Sequence, residues 1–115
     1  IKNMARTMAV DFRNLAKKQE IAPAYLQEVG SRRRIPITTN TTFFGKSEFC
    51  QVAVGGFMIG DKHAVLSHEK EGFFVYHLSM VRPPKVNKKS VEQTKLQNGD
   101  VIEIGDLKAI FSTTH

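Results

Sequence analysis

The chain has 115 residues, of which 41% are hydrophobic and 24% charged, with a formal net charge of +6. That length suits one core, or one core with an appendage, and the composition excludes a disordered chain and a collagen-like fibre. No run approaches the roughly 20 apolar residues that a membrane-spanning helix needs, and the single cysteine, Cys50, cannot close an internal disulfide, which excludes a stapled secreted scaffold. A reducing, intracellular and cytoplasmic setting is expected, with no signal peptide. The chain opens at Ile1 rather than Met, so it is expected to be part of a longer protein, one that could carry a membrane anchor elsewhere. The charge is uneven. Residues 1–34 hold eight basic and three acidic groups, and residues 35–115 hold nine and eight.

The first predicted element is an amphipathic helix over residues 2–19. Ile1, Met4, Met8, Phe12 and Leu15 recur at spacings of three and four, which places them on one face. Pro23 limits it, because the residue before proline is biased away from helix. Residues 20–34 read as a connector, with a short helical turn over Ala24–Val29 ending at Gly30. This basic helix and linker (1–34) form the first unit. The second (35–115) is a run of short apolar strands: Ile35–Thr38, Thr42–Gly45, Cys50–Val54, Ala64–Ser67, Phe73–Leu78, Val86–Asn87, Val101–Ile104 and Leu107–Ser112. Turn chemistries separate them, among them Gly55-Gly56, Gly60-Asp61, Pro83-Pro84 and Asn98-Gly99-Asp100. Many short strands at near-regular spacing imply a mainly β, antiparallel β-sandwich or barrel.

Catalytic motifs fail on inspection. Gly45-Lys46-Ser47 resembles the end of a phosphate-binding P-loop. That loop needs a glycine where Asn40 stands and a helix where Phe49–Val54 reads as strand. His63, His68 and His77 lack ligand spacing for a metal, since residues five apart on a strand face opposite ways. Cys50, in an apolar string, reads as a packed thiol. No enzyme, metal or cofactor is expected, and a binding module leads.

Residues 43–111 resemble a forkhead-associated (FHA) domain, a β-sandwich module that binds phosphothreonine peptides. Phe44-Gly45-Lys46-Ser47 stands where the family has a strand ending in Gly-Arg-Ser. Ile59-Gly60-Asp61-Lys62-His63-Ala64 stands for Val-Ser-Arg-x-His-Ala. Leu96-Gln97-Asn98-Gly99-Asp100-Val101-Ile102-Glu103-Ile104-Gly105 fits Leu-x-x-Gly-Asp-x-Ile-x-Ile-Gly. The resemblance implies an FHA/SMAD-like sandwich in which Gly45, Ser47, His63, Gly99 and Asp100 scaffold the binding loops, with His63 bracing them by hydrogen bonds.

The phosphate-gripping positions differ from that pattern. The arginine of Gly-Arg-Ser is Lys46, which keeps charge and loses the planar fork. The serine of Ser-x-x-His is Gly60, and the asparagine-glycine loop becomes Arg82-Pro83-Pro84, where prolines remove N–H donors. Losing a donor to a buried charged acceptor costs about 1.5–3 kcal/mol, so two losses weaken binding more than about a hundredfold. The resemblance therefore implies a non-catalytic interaction module of a larger signalling or regulatory protein, with phosphothreonine binding weakened or lost. Any residual ligand would meet a basic rim of Lys46, Lys62, Arg82 and Lys85. The expected partner is another protein or an acidic or phosphorylated segment. The alternative is attachment to nucleic acid or an anionic membrane through residues 1–34. Nucleic acid is disfavoured by the lack of interleaved stacking aromatics, and a membrane would be reached only through segments outside this chain or through the first helix.

Overall fold

The computed structural model describes residues 22–114, and every regular element in them is a strand. The helix expected over residues 2–19 lies outside the described residues. Eleven strands run in chain order: β1 (Ala24–Glu28), β2 (Arg34–Ile37), β3 (Thr41–Gly45), β4 (Val52–Ala53), β5 (Ala64–Glu69), β6 (Gly72–His77), β7 (Lys85–Val86), β8 (Lys89–Ser90), β9 (Gln93–Lys95), β10 (Val101–Ile104) and β11 (Leu107–Thr113). They form two sheets, ordered β2-β1-β11-β10-β7-β8 and β4-β3-β5-β6-β9. Pairing is antiparallel except between β3 and β4, which run parallel with Phe44 opposite Val52.

Alternation along each strand builds the core. In β11, Leu107, Ala109 and Phe111 are buried while Lys108 and Ile110 face outward, the period-two pattern of a sheet with one wet face. Phe44, Leu66 and Val75 of one sheet meet Leu26, Ile104 and Phe111 of the other in one cluster. Phe73 bridges the layers, its ring edge-on to Phe111 at 5.3 Å between centroids. Burying an aliphatic or phenyl side chain of this kind contributes about 1.5–3 kcal/mol, so these inward positions dominate stability.

The expected helical turn at Ala24–Val29 is strand β1. Ala24 and Leu26 are buried and Tyr25 and Gln27 only partly so, an alternation that fits a sheet and not a helix. β1 lies between β11, with Leu26 opposite Phe111, and β2, with Leu26 opposite Ile35. The sandwich thus begins at Ala24, ahead of the Ile35 expected from the strand texture. Gly30, at φ +86°, does end the element, but as the turn of a β-hairpin. That hairpin absorbs most of the basic run. Arg33 pairs with Glu28 at 3.5 Å, and the Arg34 guanidinium lies 3.8 Å over the Tyr25 ring. The expected strand from Cys50 is shortened to Val52–Ala53, because the Cys50 N–H turns back to the Ser47 carbonyl at 3.1 Å.

Candidate functional site: the converging loops

Three loops and one tight turn meet at one end of the sandwich: residues 46–51, 54–63 and 78–84, and Gly105-Asp106. Backbone contacts define their frame. The Lys46 and Ser47 N–H groups donate to the carbonyls of Gly60 and Asp61 at 3.0 and 3.2 Å. A Cβ on Gly45 would overlap the Asp61 carbonyl, so only glycine lets β3 pass this close to the second loop. Gly105, at φ +59°, is crowded in the same way by the Gly55 carbonyl. The Cys50 thiol is buried and donates to the Asp61 carbonyl at 3.1 Å, so it acts here as a packed loop anchor.

His63 is the fully buried centre of this frame. Its Nδ1 accepts the Gly60 N–H at 3.1 Å, and its Nε2 meets the Arg82 carbonyl at 2.7 Å. One nitrogen accepts and the other must donate, which selects the neutral tautomer protonated on Nε2. Its backbone adds an N–H donated to Phe44 and a carbonyl that accepts from Leu78, so one residue ties the second and third loops to β3. His77 stands beside it, ring centroids 5.2 Å apart. Its side chain is almost wholly buried, with Nδ1 2.9 Å from the Glu92 carboxylate and Nε2 3.1 Å from the Val81 carbonyl. The third loop is therefore held by two imidazoles.

Of the four expected rim residues, Arg82 and Lys85 line one small hollow with Glu103 and Gly105. Arg82 turns inward: its guanidinium donates to the carbonyls of Phe57 at 2.8 Å and Gly105 at 3.2 Å, and pairs with Asp106 at 3.8 Å. Its backbone is left-handed, φ +53°, ahead of a proline, where such a conformation is strained. The side-chain bonds across two loops hold it there. Lys62 lies 5.1 Å over the Phe43 ring. Lys85 sits on β7 opposite Glu103 of β10. Lys46 is exposed at the first loop. Among the scaffold residues, the Ser47 hydroxyl accepts the Phe49 N–H at 3.1 Å. Gly99 and Asp100 lie apart from these loops, in the β9–β10 turn, where the Asp100 carboxylate accepts the Gln97 N–H at 2.8 Å.

Beside the exposed Lys46, Glu48, Asp61 and Lys62, the loops show large apolar side chains to solvent. Phe49 is 84% exposed, Phe57 80% and Met80 95%, one from each loop, and Met58, Leu78 and Val81 add to them. The sequence does not mark these as site residues. Apolar neighbours make Phe49 read as strand, whereas it lies in the first loop. Phe57-Met58 between Gly55-Gly56 and Gly60 could have been found as apolar residues in a stretch too rich in turn residues to bury them. Among the described residues no group of three or more His, Cys, Asp or Glu could hold a metal ion.

A two-sheet sandwich with a histidine-braced loop end defines a recognition scaffold, and the comparisons say which. The FHA domain family profile matches residues 42–105, more than half of the chain. The chain belongs to the FHA domain family, whose members are non-catalytic interaction modules. No curated protein sequence matches it. Its backbone is similar to a domain solved for a structural and functional analysis of phosphothreonine-dependent FHA domain interactions, with TM-score 0.71 and 20% identity over 80% of this chain and 97% of that one. Mycobacterium tuberculosis EmbR in complex with a low-affinity phosphopeptide gives TM-score 0.73 and 22% identity over 99% of this chain and 32% of that one. The MEK1 FHA domain in complex with a HOP1 phosphothreonine peptide gives 0.67 and 22%, over 83% and 100%. At these identities the likeness concerns the fold.

Proposed function

We propose that this chain is a protein-interaction module of a larger signalling or regulatory protein, and that its loop end recognises a partner with phosphothreonine binding weakened or lost. The observation that carries the reading is the direction of Arg82. Its guanidinium, the one planar fork in the third loop, is held by the Phe57 and Gly105 carbonyls and by Asp106, which engages donors that a bidentate phosphate grip would use. Gly60 supplies no hydroxyl, and its N–H is donated to His63. Lys46 remains as a point charge. In place of converging donors the loops present Phe49, Phe57 and Met80, one exposed apolar side chain from each loop, and large exposed apolar side chains gathered on converging loops favour protein contact.

The test is a fluorescence-anisotropy titration with a panel of phosphothreonine peptides and their unphosphorylated twins. The expected result is no sub-micromolar binding and no preference for the phosphorylated twin. Tight, phosphate-dependent binding overturns the reading. In that event Lys46→Ala and Arg82→Ala decide whether the basic rim is the ligand.

A further inference from the structure

A second feature lies at the edges of the two sheets. Strand β8 is the outer strand of one sheet and β9 the outer strand of the other. Where these two edges come together, a cavity of about 480 Å³ is lined by Lys88, Lys89 and Lys95, with Val86, Val91 and Thr94 in its walls. Among the described residues no ion pair involves any of the three lysines. The acid in the wall, Asp100, is already committed: one carboxylate oxygen accepts the Asn87 side-chain amide at 3.0 Å and the other the Gln97 N–H at 2.8 Å. On the far side of Lys88 a second hollow of about 280 Å³ is lined by Lys88, Lys108 and Glu103.

The position of Lys88 is informative. Asn87 and Lys88 form the two-residue turn of the β7–β8 hairpin, both left-handed at φ +53° and +70°. Such turns favour Asn-Gly, because a side chain at the second position costs about 1 kcal/mol or more. Glycine would fold this hairpin better, and lysine places an ammonium group at the corner shared by the two hollows.

We infer that the β8–β9 edge is a second binding site, separate from the loop end, for an extended acidic segment of a partner protein. Lysines match clustered carboxylates as point charges, and the outer strands of the sheets supply edges along which an extended chain can lie. A nucleic acid is the weaker match. The cavity walls hold no aromatic side chain on which bases could stack, and the three lysines surround a hollow rather than line a stripe along a phosphate backbone.

The experiment titrates the full chain against a fluorescein-labelled glutamate-rich peptide at low salt and at about 0.15 M salt. The expected result is saturable binding at low salt that weakens steeply as salt rises. Lys88→Gly and Lys89→Glu should each weaken it by about tenfold or more, while Lys46→Ala at the loop end leaves it unchanged. Lys88→Gly relieves the turn, so its melting temperature should equal or exceed that of the parent, and its loss of binding reports the charge and not the fold. No binding at low salt overturns the inference, leaving the lysines as guards against edge pairing. Binding unchanged in both lysine variants also overturns it. So does tighter binding of duplex DNA, single-stranded RNA or anionic vesicles through the same lysines, which would name another class of ligand. Failure of the loop-end reading touches none of these outcomes.

Discussion

The loop end and the β8–β9 edge of this sandwich handle polar and apolar groups in opposite ways. At the loop end a polar frame is turned inward: His63, His77 and Arg82 bond to loop carbonyls, a loop N–H and the Glu92 and Asp106 carboxylates, while Phe49, Phe57 and Met80 stand outside. At the edge the valines line the wall of a hollow and, among the described residues, the ammonium groups have no ion-pair partner. The difference teaches that a count of basic residues does not locate a charged surface. Arg33 and Arg34, in the densest basic run, are engaged within their own hairpin, whereas lysines scattered from 88 to 95 share a cavity.

If the inward polar frame is what shapes the loop end, its removal gives the largest effect. His63→Ala leaves the Gly60 N–H and the Arg82 carbonyl unpaired around a void, and should cost about 2–4 kcal/mol. Chemical denaturation measures this, and a cost under about 1 kcal/mol would mean that the loops hold each other without the ring. Arg82→Ala should cost less, about 1 kcal/mol, because the guanidinium is partly exposed and solvent screens its bonds. Its second consequence is sharper. The third loop should loosen, seen as faster amide exchange at Val81 with no change in β5 or β6. Equal protection in parent and variant would show that the two imidazoles, not the guanidinium, hold the loop.

The outward apolar set should behave in the reverse manner. Phe49→Ser, Phe57→Ser and Met80→Ser each remove a side chain with little packing to lose, so each should shift stability by no more than about 0.5 kcal/mol. A partner that uses the loop end should lose affinity in the same variants. A large drop in melting temperature for any one of them would place that side chain in the core and remove it from the recognition surface.

The frame was legible because local chemistry demands it. Gly45 and Gly105 stand where strands crowd loops, and the alternation of β10 and β11 reads directly from Val101 to Phe111. Strand β1 was not legible. Its partners on β11 lie more than eighty residues away, and Ala24 and Leu26 alone do not separate a strand from a helical turn. The direction of Arg82 was hidden for the same reason, since the carbonyls it reaches belong to Phe57 and Gly105, each more than twenty residues distant. The hollow at the β8–β9 edge depends on two sheets meeting, which no local pattern of lysines announces.

The smallest predicted effect tests the outer face of the second sheet, where a polar pair faces solvent. Tyr76 on β6 donates its hydroxyl to the Glu69 carboxylate at 2.6 Å, a contact between adjacent antiparallel strands. That hydrogen bond, then desolvation and the repulsion an ionised phenolate would feel from Glu69, hold the phenol above its ordinary value of 10.0. A group whose affinity for its proton rises on folding stabilises the fold while protonated. The contribution is therefore complete below the unfolded value of 10.0 and is lost as pH climbs through the folded one. Tyr76→Phe has no such proton. The gap in melting temperature between parent and variant should be constant through neutral pH and should narrow only in the alkaline range. A gap that stays flat there would show that the hydroxyl forms the bond without favouring the folded state, and that this half-buried pair adds nothing to the sheet.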